Sequence, residues 1–158
     1  MDQKPEIKIA VTGGRVFQDK WLVEFVLTNI AKGHNNYSFF LIHGDATGLD
    51  TIAKEVAIKL GWGTKPYPVT KEDWKAKGLR AGPERNLRML TESKPHILLS
   101  FPGGKGTVDC IKKAGSLGLP VVSFYNAPDL TLYGRIDQAR TKIDLSVIKA
   151  NPNLLKNQ

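Results

Sequence analysis

Ile97-Leu98-Leu99-Ser100-Phe101-Pro102-Gly103-Gly104-Lys105-Gly106-Thr107 is the stretch that decides the fold. Its first five residues form an apolar run of strand length. Pro-Gly-Gly breaks the run, and from Thr107 to residue 117 the sequence takes helical spacing. A strand that feeds a helix through a glycine turn is the repeating unit of a parallel α/β sheet. Glycine suits such a turn because it tolerates positive φ and carries no Cβ to block an approaching anion. The amide N–H groups at the start of the following helix then face that anion, and the helix dipole favours it. Lys105 adds a cation and Thr107 a hydroxyl.

Two other apolar runs end the same way. Residues 7–11 (IKIAV) lead into Thr12-Gly13-Gly14-Arg15, and residues 39–43 lead into Gly44-Asp45-Ala46-Thr47-Gly48-Leu49-Asp50. Between them, residues 19–31 place Trp21, Leu22, Phe25, Val26 and Ile30 on one helical face, with Asp19 as N-cap. A second helix is expected over 50–60, stopping at Gly61. A short edge strand is expected at 65–69, where Pro66 and Pro68 suit a sheet margin. Residues 71–80 read as a polar loop holding Trp74, 83–92 as a helix and 120–124 (PVVSF) as the last strand.

Near-continuous apolar strands alternating with helices predict a parallel sheet covered on both faces. The expected fold class is α/β, a Rossmann-like three-layer arrangement with a parallel sheet of about five or more strands and right-handed crossovers. All three glycine loops then lie beyond the carboxyl ends of strands, where open α/β sheets bind ligands. Neither the GxxxxGK[ST] spacing nor a GxGxxG after the first strand is present. From about residue 126 the pattern weakens. Residues 1–125 read as the α/β domain that carries the glycine loops, and 126–158 as a C-terminal extension of the same domain with one or two helices over 133–150 and a frayed end.

The 158 residues suit one domain. The single cysteine, Cys110, excludes an internal disulfide, and three histidines without metal-ligand spacing give no ground for a metal or another cofactor. No apolar run approaches the ~20 residues of a membrane span, and the opening MDQKPEIK has no signal-peptide layout, so a cytoplasmic protein without membrane contact is expected. The net charge is +8, with the positive residues scattered. A solvated basic surface or small polyphosphate ligands account for this. Nucleic-acid contact is the weaker reading, since no recognisable binding module accompanies the charge.

Pro102 to Thr107 resembles the PGGxGT motif of the SLOG superfamily, which includes the LOG phosphoribohydrolases and the DNA-processing protein DprA. Arg85-Asn86-Leu87-Arg88-Met89 stands where LOG proteins carry Arg-Lys-x-x-Met. Five segments in order resemble the YspA-like branch of bacteria and phages: Gly13-Gly14-Arg15-Val16-Phe17; Gly44 to Asp50; Trp74; Ala81-Gly82-Pro83-Glu84-Arg85-Asn86; and Phe101 to Thr107. The resemblance runs from about Lys8 to Phe124. It implies the Rossmann-like fold, a nucleotide-derived small-molecule ligand and a homodimer or higher homo-oligomer.

The expected ligand contacts are Thr12, Gly13, Gly14, Arg15, Gly44, Asp45, Gly48, Asp50, Arg85, Asn86, Pro102, Gly103, Gly104, Lys105, Gly106 and Thr107. LOG enzymes carry a glutamate at the position held here by Cys110, which reads as a small buried hydrophobe. An oxocarbenium-like state at C1′ needs a positioned carboxylate. Asp45, Asp50, Glu84 and Asp109 are carboxylates that could substitute, and the Arg85 guanidinium suits a phosphate; the catalytic candidates are Asp45, Arg85 and Asp109, without an assignment among them. Asp45 is read as a ribose contact. Asp50 is alternatively a helix N-cap, Asp109 a first-turn residue serving the dipole, and Trp74 either packing or a stacking platform. Missing the glutamate favours a sensor or sequestering protein over an N-glycosidic hydrolase or transferase. Single-stranded DNA binding is a weaker third reading.

Overall fold

A computed structural model describes residues 4–124; the expected helices over 133–150 and the rest of the 126–158 extension lie outside the described residues. Five strands form one sheet: β1 (Glu6–Thr12), β2 (Ser38–His43), β3 (Gly63–Pro66), β4 (Ile97–Ser100) and β5 (Val121–Ser123). Every pairing is parallel and the order is β3-β2-β1-β4-β5. The helices are α1 (Lys20–Gly33), α2 (Leu49–Lys59), α3 (Lys71–Lys77), α4 (Ala81–Ser93) and α5 (Lys105–Ser116), with a 3-10 turn at Gly78–Arg80. The chain is therefore an α/β protein of Rossmann-like architecture.

Alternation along the strands builds the two outer layers. Ile9, Val11, Leu41 and Leu99 pack with Leu22, Val26 and Ile30 of α1 and Ala53 and Val56 of α2. Their neighbours Ala10, Ile42 and Leu98 point the other way, onto Met89 and Leu90 of α4 and Cys110 and Ala114 of α5. The central strands are buried on both faces, which is why they read as unbroken apolar runs. From β1 the chain moves outward to β2 and β3, then returns to β4 on the opposite flank of β1. The carboxyl ends of β1 and β4 therefore flank the switch point, with Thr12 level with Ser100. Among the described residues no helix is long and apolar enough to cross a membrane.

Several expected boundaries move. The stretch 71–80 is not a loop. Thr70 N donates to Asp73 Oδ2 and Asp73 N to Thr70 Oγ1, at 3.0 Å each, in a capping box that starts α3. The edge strand is β3 at Gly63–Pro66 rather than 65–69. The α5 helix begins two residues earlier than the spacing suggests, at Lys105, so the last glycine of the loop lies inside its first turn. On α1, Trp21 is partly exposed and stacks on Phe25 at 5.2 Å beside the buried face. Asp19 does cap α1, accepting from the Leu22 amide at 3.2 Å. Asp19→Ala should cost about 1 kcal/mol. It would be read as a lowered urea midpoint at unchanged slope.

Candidate functional site

Loops β1–α1 and β4–α5 are stitched together at the switch point. Phe101 N donates to Thr12 O and Gly14 N to Pro102 O, both at 2.9 Å. The β2–α2 loop joins them from the other side, because Leu49 N donates to Gly14 O at 3.1 Å. Gly48 makes that approach workable. Its φ is +79°, and a Cβ there would stand within 2.5 Å of Arg15 O. Gly103 is packed as tightly, since its Cβ would lie 2.7 Å from Gly14 N and against the Thr107 hydroxyl.

Gly104 and Gly106 differ from these. A Cβ at either meets nothing within 4 Å, so protein packing does not ask for glycine there. Both line a cleft of about 1200 Å³ at the sheet edge. Gly104 is the N-cap residue of α5, and no side chain caps the helix. The amides of the first turn, from Lys105 to Thr107, are left for solvent or a ligand. The start of α2 is different in kind: Gly14 O occupies Leu49 N, and the Asp50 carboxylate occupies the loop amides of Gly44 and Ala46. Of the three glycine loops, the second is thus satisfied internally and the third is open.

The cleft floor carries a linked set of charged groups. Asp50 is 6% exposed. It sits inside the first turn of α2, with Gly48 as the N-cap residue, so the N-cap alternative does not hold. Its Oδ2 accepts from Gly44 N at 3.1 Å and Ala46 N at 3.3 Å. Burial pushes the Asp50 carboxyl up to about 6, against the pull of those amides and of Arg85. Arg85, from α4, donates Nη1 to Gly44 O and to Tyr67 O, and Nε to Asn86 Oδ1. Asn86 passes the chain on to Gly106 O at 3.1 Å and Asp109 Oδ2 at 3.0 Å.

Asp109 lies in the second turn of α5, not the first, and is paired with Lys113 at 2.7 Å. Burial pushes its carboxyl up, but the Lys113 and Asn86 hydrogen bonds outweigh this and hold it below the usual range. Cys110 is fully buried, and desolvation raises its thiol to about 11, so it is neither a nucleophile nor a substitute carboxylate.

The outer wall is apolar. Trp74 faces the cleft with the Arg15 guanidinium 5.5 Å from its ring centroid. Val16 is 88% exposed and Leu79 93% exposed on the same cleft.

The cleft brings together Thr12, Gly13, Gly14, Arg15, Gly44, Asp50, Arg85, Asn86, Asp109 and all of residues 102–107. Gly48 stands behind it as a packing residue. Asp45 is not among the lining residues. It is exposed, at φ 57°, with its amide held by His43 Nδ1 at 3.0 Å. Val16 and Leu79 were not legible as cleft walls, because exposed apolar residues in a turn follow no period. His43 is the other residue the sequence did not single out. It is buried with Nε2 unpartnered, and burial lowers its pKa, so the ring is neutral.

Comparison with known proteins places this geometry. A family model described as YAcAr, the YspA, cpYpsA-related SLOG family, matches residues 7–75. The Gene 61 protein of Mycobacterium phage D29 is 33% identical over 129 residues, covering 77% of this chain and 98% of that protein. Among solved structures, DNA processing protein A from Streptococcus pneumoniae is similar at a TM-score of 0.59 and 19% identity. That match takes in 92% of this chain, which spans 56% of the other. TM1055 is similar at 0.54 and 18% identity, over 73% of this chain and 72% of that one. At these identities the structural matches speak to the fold alone.

Proposed function

The chain belongs to the YspA, cpYpsA-related SLOG family, and from that membership we propose that it binds a nucleotide or nucleotide-derived ligand, with a phosphate seated on the first turn of α5. One observation carries the reading. Gly104 and Gly106 line the cleft at an uncapped helix N-terminus, yet protein packing requires neither to be glycine. An anion that must come within hydrogen-bond distance of the backbone supplies the missing requirement. Lys105 and Arg15 add positive charge at the same end of the cleft.

Binding without turnover, as a sensor or sequestering protein would need, is the first reading. The position where LOG enzymes carry their glutamate holds a fully buried cysteine. N-glycosidic hydrolysis is the second reading, favoured by two carboxylates, Asp50 and Asp109, on the cleft surface. Titration calorimetry with adenine nucleotides, cyclic dinucleotides and ADP-ribose-type compounds, followed by chromatography of each mixture, separates them. A ligand recovered intact supports the first; a released base supports the second; no binding by any phosphate compound removes both.

Arg85→Ala should weaken a ligand found in this way by about 1.5–3 kcal/mol, the range for hydrogen bonds to charged groups. Part of that loss comes through the β2–α2 loop, whose Gly44 carbonyl the side chain holds. Calorimetry on parent and variant reads the difference directly.

A further inference from the structure

Asp50 is a buried acid whose hydrogen bonding is only half accounted for. Its Oδ2 takes two loop amides, while Oδ1 has no protein partner among the described residues and is not fully buried, so it is open to the cleft. The ion pairs among those residues are Lys59–Glu24, Lys77–Glu84 and Lys113–Asp109, so Asp50 has none within 4 Å. Arg85, the cation nearest to it in effect, donates instead to Gly44 O, Tyr67 O and Asn86 Oδ1. Leaving a carboxylate largely desolvated without an ion-pair partner destabilises the fold. Such a residue is best explained by something that enters the cleft.

That something must present a hydrogen-bond donor and keep its own negative charge elsewhere. A carboxylate repels phosphate, and the phosphate seat on α5 lies beyond β4, whereas Asp50 lies beyond β2. With β1 between them, the two positions are two strand spacings apart, about 10 Å. A ribose 5-phosphate with a hydrogen bond at each end can bridge such a gap. In other nucleotide-binding α/β sheets an acidic residue beyond the second strand takes a ribose hydroxyl, for the same electrostatic reason. The exposed Asp45, outside the cleft, is not placed for this role.

Resting on the phosphate seat argued above, we propose that Asp50 Oδ1 accepts a hydrogen bond from a ribose hydroxyl, so that the ligand class is ribonucleotides and their derivatives rather than deoxyribonucleotides.

The test measures binding of inorganic phosphate, AMP, 2′-deoxyAMP and 3′-deoxyAMP to the parent and to Asp50→Asn. The asparagine keeps an acceptor for the two loop amides. In the parent, AMP should bind at least tenfold more tightly than one of the two deoxy compounds. In Asp50→Asn, AMP should fall to the level of that deoxy compound. Affinity for inorganic phosphate should hold or rise, because a negative charge has left the cleft. Thermal unfolding at pH 7 guards against trivial misfolding. The variant should melt no lower than the parent, since burial works against the ionised carboxylate. A parent that binds AMP and both deoxy compounds alike, or a variant that keeps the parent's preference, overturns the ribose assignment and leaves the phosphate seat standing. A parent that binds neither phosphate nor any of the nucleotides overturns both.

Discussion

Gly104→Val should abolish binding of phosphate-bearing ligands while leaving the fold intact. A Cβ at this position meets no protein atom within 4 Å, so the substitution intrudes on nothing the protein itself occupies. Because Gly104 is the N-cap residue of α5, where valine is disfavoured, the substitution should cost about 1 kcal/mol, well short of what unfolds a domain. The added side chain instead occupies the space in front of the first turn of α5, where an anion must come to reach the backbone amides. Several charge-assisted hydrogen bonds are lost together at ~1.5–3 kcal/mol each, which corresponds to a loss beyond 100-fold in affinity. Calorimetry against the ligand of the parent, paired with a thermal melt, reads both halves. Equal binding by parent and variant would put the site elsewhere.

Gly48→Ala should do the reverse and act on the fold. Gly48 sits at φ +79°, a region that costs an ordinary residue ~1–2 kcal/mol. Its Cβ would also lie within 2.5 Å of Arg15 O and closer still to Gly14 O. Neither contact can be relieved by turning a side chain, because both partners are backbone. The β1–α1 loop would have to move away from α2, losing the Leu49 N to Gly14 O bond. The combined cost should be on the order of 3 kcal/mol or more, a large share of the ~5–15 kcal/mol that holds a domain folded. A urea denaturation curve superimposable on that of the parent would show that this glycine is not needed for packing. The two variants together separate the glycines the fold requires from those a ligand requires.

Much of this was legible in the residues, for identifiable reasons. Strands β1, β2 and β4 are buried on both faces, so IKIAV, FFLIH and ILLSF stand out as apolar runs that end in glycine. The sheet-edge position of the three loops follows from that alone, and with it most of the cleft. The residues of α3 are mostly charged and none is buried, so they carry no apolar period, and the Thr70–Asp73 capping box is the mark of the helix in the sequence. β3 starts two residues and ends three residues before the expected 65–69, because an exposed edge strand carries no alternation and its register depends on pairing with Phe40 to His43.

Within the site, three positions were ambiguous because sequence spacing does not show where a carboxylate points. Asp50 reads as a cap from its position beside Gly48, but its side chain folds back onto the loop amides. Asp109 reads as a dipole partner, but it is tied to Asn86 and Lys113. Asp45 looks like a ribose contact, but a left-handed turn sets it outside the cleft. The tight contact between Gly103 and Gly14, 89 residues apart in sequence number, is likewise a product of strand order rather than of any local motif.

The measurement that tests the phosphate seat most directly is an amide-resolved NMR titration of the 15N-labelled protein with AMP and with inorganic phosphate. The largest shifts should fall on the amides of Lys105, Gly106 and Thr107, with smaller ones on Gly14 and Arg15, and both titrants should move the α5 amides in the same direction. Shifts confined to other helices, or none at saturating phosphate and nucleotide, would contradict a phosphate seat at the start of α5.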